Sequence, residues 1–248
     1  MKVLVIHNSG NVGKSLLTRE VFYQHFDSDE KMVLELESRN ASSSSFDIDV
    51  VRIDFSKPSA LQDVTRYGLI YEDYVLDIGA SEIKDFLLAI EKTREILDEF
   101  DLVVVPAVKD QKIIPDTMKT MAIVRALGYE EKLVVVFNKV ENPSTIEEDF
   151  ESLFRWAKRE GFHLDPTLYL KNYEEATNDL IKMKSLSSEL LQDTTDYRAL
   201  AIECHRKGDA DKSREASNRL LTQRIARSLN AGARDLYEKL VRVVESRS

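Results

Sequence analysis

The sequence predicts an α/β chain: a doubly wound, mainly parallel sheet followed by a helical C-terminal extension. Three observations predict it. Short β-branched runs without a helical period alternate with amphipathic segments over residues 1–165. After Pro166 no comparable strand run occurs, and residues 166–248 read as helices. The chain's 248 residues suffice for one substantial core plus such an extension.

The first strand candidate is Lys2 to Ile6, a continuous apolar run of the kind that parallel sheets bury on both faces. It enters the turn His7-Asn8-Ser9-Gly10-Asn11-Val12-Gly13-Lys14-Ser15, and a helical run from Leu16 to Phe22 follows. Strand, glycine-containing turn, Gly-Lys-Ser and helix in that order make a phosphate-cradling P-loop. Backbone N–H groups of such a turn, and the helix N-terminus behind it, point at phosphate oxygens. Lys14 is expected to reach the β- and γ-phosphates, and the Ser15 hydroxyl to ligate Mg²⁺. The first glycine of GxxxxGK[ST] falls on Asn8, a residue type that tolerates positive φ, so the turn stays feasible. The sheet is therefore of the P-loop NTPase type.

Met32 to Glu37 reads as the second strand, and Arg39 to Ser45, with four consecutive serines, as a loop. Ile48 to Phe55 and Asp73 to Asp77 are further strands, and Leu102–Pro106 and Leu133–Phe137 are continuous apolar ones. Amphipathic helices are expected over Ser81–Phe100 and over Pro115–Leu127, with Pro115 at a helix start. Ser144-Thr145-Ile146-Glu147 has a capping-box pattern and opens a helix through Arg159, whose Phe154 and Trp156 pack on the sheet. Downstream, Asp196–Arg206 and Ala210–Val244 read as helices, with Gly232 a point where the second could break.

Two strand ends carry further chemistry. Tyr74-Val75-Leu76-Asp77-Ile78-Gly79 puts an Asp at a strand end and a Gly two positions on, where P-loop enzymes orient Mg²⁺ or its waters. Phe137-Asn138-Lys139-Val140-Glu141 resembles the NKxD base-reading motif of GTPases, with Glu in place of Asp. Asn138 is suited to hydrogen-bond a purine base, or serves as an ordinary strand-to-loop Asn.

Composition narrows the class. The single Cys204 excludes an internal disulfide and fits a reducing cytoplasm, and no apolar run reaches the ~20 residues of a membrane span. No signal peptide opens the sequence, so a cytoplasmic location is expected. The four histidines lack metal-ligand spacing, and no hydrolase triad, dinucleotide fingerprint or kinase signature occurs. The net charge of −9 is uneven: Arg198 to Ser248 holds 12 Lys/Arg against 7 Asp/Glu. On a continuous helix Arg224, Arg227, Arg234 and Arg242 would fall within about 80° of one another. That stripe fits DNA phosphates, and a helical face for a dimer or a partner protein fits it as closely.

Several segments in order along the chain carry a resemblance. They are Ser9–Ser15; Glu37-Ser38-Arg39-Asn40-Ala41; Asp77-Ile78-Gly79-Ala80-Ser81 with Asp85-Phe86-Leu87; Val105-Pro106 with Asp116-Thr117; Val136-Phe137-Asn138; and Asp193 to Leu200. With these the chain resembles the StbB plasmid-stabilisation family, which includes the conjugal-transfer TraL proteins, a branch of the ParA/MinD-type P-loop ATPases. The resemblance implies an ATP-binding switch for plasmid stability, partition or conjugative transfer, with nucleotide-dependent dimerisation and weak hydrolysis. ATP and Mg²⁺ are the cofactors it implies. By that resemblance Ser9, Gly10, Asn11, Val12, Gly13, Lys14, Ser15, Leu16 and Asn138 bind nucleotide, and Ser15 and Asp77 hold Mg²⁺. Lys14, Glu37 and Asp77 then serve catalysis, with Glu37 orienting the attacking water or standing as a plain strand-end carboxylate. Implied partners are a second copy of the chain, a StbA-like DNA-binding protein, and nonspecific DNA on the basic C-terminal helices, with nucleoid association.

The ParA/MinD type carries a signature lysine early in the loop, and the matching position here is Ser9. Without that cation hydrolysis is expected to be slow or absent unless Arg39 or Lys109 substitutes. Two readings of other classes stand beside this one: a P-loop kinase or ligase of the dethiobiotin-synthetase kind, and a nucleotide-independent adaptor.

Overall fold

A computed structural model describes residues 1–36, 46–54, 57, 59–91 and 93–247. In chain order the elements are β1 (Lys2–Val5), α1 (Lys14–Leu16), β2 (Lys31–Leu36), β3 (Val50–Arg52), α2 (Ala60–Ile70), β4 (Asp73–Ile78) and α3 (Ile83–Ile90). Then come β5 (Leu102–Ala107), α4 (Ile114–Ala126), β6 (Leu133–Val140), α5 (Ile146–Asp149), α6 (Glu151–Glu160) and β7 (Tyr169–Lys171). The chain ends in α7 (Glu174–Met183), α8 (Ser187–Gln192), α9 (Tyr197–Arg206) and α10 (Ala210–Arg247).

The seven strands form one sheet in the order β3-β2-β4-β1-β5-β6-β7, with every pairing parallel. β1 lies between β4 and β5, so the chain winds outward to both sides of it. The loop after β1 therefore opens at the point where the winding reverses, which is where open α/β sheets bind ligands. Side-chain alternation sends Leu4 to one face and Val3 and Val5 to the other. The first face is covered by α2, α3, α4 and α6 through Val64, Phe86, Ile90, Met121, Val124, Leu153 and Ala157. The second is covered by the helix after the loop, through Leu17, Val21 and Phe22, and by Leu180, Leu229, Ala233, Leu236 and Leu240 of α7 and α10. α7 and the second half of α10 thus complete this core.

Several expectations change. Tyr169–Lys171 is a strand, added beside β6 after Pro166 where none was expected; three residues are too few to print a period. The third strand is shorter than Ile48–Phe55, since only Val50–Arg52 has a ladder partner among the described residues. Ser81–Phe100 is not one helix: α3 stops at Ile90, and a 3₁₀ segment, Arg94–Glu99, follows a Thr93 outside helical geometry (φ −143°, ψ 61°). The helix α2 was not anticipated; it buries only Ala60, Val64 and Gly68. Gly232 breaks nothing, for α10 runs unbroken over 38 residues. A Cβ at Gly232 would meet the Tyr173 hydroxyl at 3.1 Å, so the glycine lets that ring lie against the helix. Phe154 does stack on the sheet, 5.3 Å from Phe137 of β6, whereas Trp156 stacks on Phe162.

Candidate functional site

The loop from His7 to Gly13 leaves β1 at its carboxyl end, and Lys14 opens α1. Its left-handed residues are Asn11 (φ 58°) and Gly13 (φ 89°), not Asn8. The conformational freedom expected of Asn8 is thus used three residues later, by a second Asn. Gly13 is fixed twice over: its φ favours glycine, and a Cβ there would fall 1.9 Å from Asn138 Nδ2. Asn138 is fully buried; its Nδ2 donates to Val12 O at 2.8 Å, and its Oδ1 accepts from Lys139 N at 2.9 Å. The amide expected to read a base is in this structure engaged with the loop after β1. Glu141 accepts from Asn172 Nδ2 at 2.6 Å, and Lys139 lies 3.8 Å from Glu174, so both are tied to the segment after β7.

Lys14 is buried and donates to Ser9 O at 3.1 Å, which folds its ammonium back over the loop. Gly10 and Asn11 are exposed at the loop's mouth, and Leu17 N donates to Gly13 O at 3.0 Å as the helix begins. Leu17–Phe22 is π-helical, a wide-turn form concentrated at functional sites, and all six of its residues are buried.

Asp77 is the penultimate residue of β4, beside this helix start and in register with Glu35 of β2. The Ser15 hydroxyl hydrogen-bonds to the Asp77 carboxylate, while Asp77 Oδ2 is buried with no hydrogen-bond partner among the described residues. Burial pushes the Asp77 carboxyl above its ordinary range, against the opposing charge of Lys14 and the Ser15 bond. A hydroxyl and a carboxylate with a spare buried oxygen are oxygen donors of the kind Mg²⁺ takes alongside phosphate and water. The residues present fit the ion.

Sequence reasoning passed over two charged residues of this neighbourhood. Glu35 is buried, 3.6 Å from Arg52 Nε. Arg19 is also buried, its guanidinium 4.2 Å from the centre of the Phe46 ring and in the field of Glu20, Asp77 and Glu35. Charges inside apolar runs are assigned to solvent when only pattern is read; that Arg19 lies one helical turn past Ser15 was the available signal. Glu37 and Arg39 lie outside the described residues. Lys109 is ion-paired to Asp149 at 2.5 Å on the surface.

No family model matches the sequence, and no curated protein matches it. Among solved structures, the chain is similar to a Borrelia burgdorferi protein described as a plasmid partition protein and bound to AMPPNP. The two are 13% identical with a TM-score of 0.51, over 89% of this chain and 97% of that one. The likeness is one of fold. Cyanothece McdA in a complex with ATP (12% identity, TM-score 0.49, 88% and 95% covered) and Aquifex aeolicus MinD (12%, 0.47, 77% and 89%) resemble it more loosely.

Proposed function

We propose that the chain is a ParA-like, ATP-binding switch protein of the plasmid partition or transfer kind, in which bound nucleotide controls association with a second copy and with a DNA-binding partner. One observation carries this reading: the loop, Lys14, Ser15 and the buried spare oxygen of Asp77 converge at the sheet's winding reversal. The AMPPNP held by the Borrelia protein of the same fold supports it. Loop N–H groups and Lys14 hold the β- and γ-phosphates, and Ser15 and Asp77 hold Mg²⁺. An Mg²⁺ ion held by Ser15 and Asp77 would supply positive charge against the charge that develops on the phosphate. Asn138 sets the loop's shape through Val12. With Ser9 at the signature-lysine position and Lys109 tied to Asp149, hydrolysis is slow or absent unless Arg39 supplies the cation. Arg224, Arg227, Arg234 and Arg242 are exposed along unbroken α10 and form the surface offered to DNA phosphates or to the partner.

The test is thermal stability with Mg²⁺ and ATP, ADP, GTP or no nucleotide, for wild type and Lys14→Ala. ATP at a hundredfold its Kd adds about 2.7 kcal/mol to the folded wild type, and Lys14→Ala loses that gain. A larger gain with GTP reassigns the base, and no gain with any nucleotide leaves the adaptor reading in its place.

A further inference from the structure

The entry half of the loop is held from outside. Three successive residues after β1 bind three residues on one side of α4, more than a hundred positions away in sequence. Buried His7 accepts from Ser9 N through Nδ1 at 2.9 Å, so its Nε2–H donates to Thr117 Oγ1 at 2.9 Å. Asn8 N donates to Thr120 Oγ1 at 3.2 Å, and the Ser9 hydroxyl donates to the Asp116 carboxylate. The threonines complete their own bonding within α4: Thr117 donates to Ile113 O at 3.4 Å and Thr120 to Asp116 O at 2.7 Å. Thr117 and Thr120 are buried, so these partners do not exchange for water without cost.

The arrangement answers the missing first glycine. In GxxxxGK[ST] the loop turns into its phosphate-binding course by glycine freedom at the position of Asn8. Here Asn8 lacks a positive φ, and its N–H goes to α4. Ser9 has both its N–H and its hydroxyl engaged, and its carbonyl is the acceptor for Lys14. The residue holding the loop lysine is itself held by Asp116.

We propose that Asp116 is a positioning residue of the nucleotide site: acting through Ser9, it fixes the loop and Lys14 in the shape that receives phosphate, with Thr117 and Thr120 holding His7 and Asn8. This rests on the nucleotide-binding reading above. α4 thereby joins the phosphate site.

The experiment titrates a fluorescent ATP analogue with Mg²⁺ into wild type, Lys14→Ala, Ser9→Ala, Asp116→Ala, Asp116→Asn and the Ser9→Ala/Asp116→Ala pair, each checked as folded by circular dichroism. Asp116→Ala weakens binding roughly ten- to a hundredfold, the scale of one hydrogen bond to a charged group. Asp116→Asn, which still accepts from the Ser9 hydroxyl but without the charge, loses clearly less than Asp116→Ala, about three- to tenfold. The double variant binds no more weakly than the weaker single one, since both remove the same contact. Wild-type affinity in Asp116→Ala, additive losses in the pair, or an equal loss in Asp116→Asn would each overturn the proposal. Binding by wild type that Lys14→Ala abolishes keeps the nucleotide reading standing even then; no binding by wild type removes both.

Discussion

The loop after β1 and the hairpin made by α9 with the first half of α10 treat their polar groups in opposite ways. In the loop, four polar groups reach partners on distant elements: Val12 O on Asn138, the Ser9 hydroxyl on Asp116, Asn8 N–H on Thr120 and His7 Nε2 on Thr117. In the hairpin the ion pairs are local and exposed, three or four residues apart, as in Glu203–Lys207, Asp209–Lys212 and Asp211–Arg214. α9 has no buried residue, and Leu200, Ile202 and Leu221 stand in water. Local exposed pairs contribute little and tolerate change, while long-range buried ones fix a single geometry. The first is how a surface displays charge, the second how a site is built.

Substitutions sharpen that contrast. The largest effects belong where α10 joins the core and where the loop meets Asn138. Leu236→Ala, at a fully buried position, costs about 3 kcal/mol in urea denaturation. Gly13→Ala costs a similar amount, roughly 2–5 kcal/mol, because it combines left-handed strain with displacement of the Asn138 amide. A loss below about 1 kcal/mol in either would break the comparison.

Acid acts on the loop next. His7 is held down to about 4, from 6.5, first by burial and then by the charge of Lys14. Its folded value is the lower one, so the unfolded chain takes the proton first. The stability from a neutral His7 is whole above pH 6.5 and drains as pH falls through about 4, up to about 3 kcal/mol. Protonation would also set an Nδ1–H against the Ser9 N–H. Urea midpoints from pH 7 to 4.5 check this, and His7→Gln has the shallower fall. At the far end of the scale, Ile202→Ala on the hairpin changes stability by less than about 0.5 kcal/mol.

What could be read in the sequence follows the same division. The apolar runs of β1, β5 and β6, the Gly-Lys-Ser turn and the strand-end Asp77 are local signals, and each stands where it was expected. α2 carries a helical stripe, Ala60, Leu61, Val64, Tyr67 and Gly68, that went unread, and β7 escaped because it is three residues long. Asp116, Thr117 and Thr120 show an ordinary helix spacing, and only tertiary folding brings them to His7, Asn8 and Ser9. Glu35 and Arg19 were hidden because burial of a charge is decided by neighbours from other elements.

One consequence concerns birth on the ribosome. The face of β1 formed by Val3 and Val5, and Leu17 and Val21 of the helix behind the loop, share their core with Leu229, Ala233, Leu236 and Leu240. Those residues emerge more than two hundred positions later. Until they do, the apolar face of β1 and of the helix behind the loop lacks the cover that α10 provides. The segment that finishes this core also carries the basic stripe of α10, so packing of that helix on β1 and display of the stripe are one event.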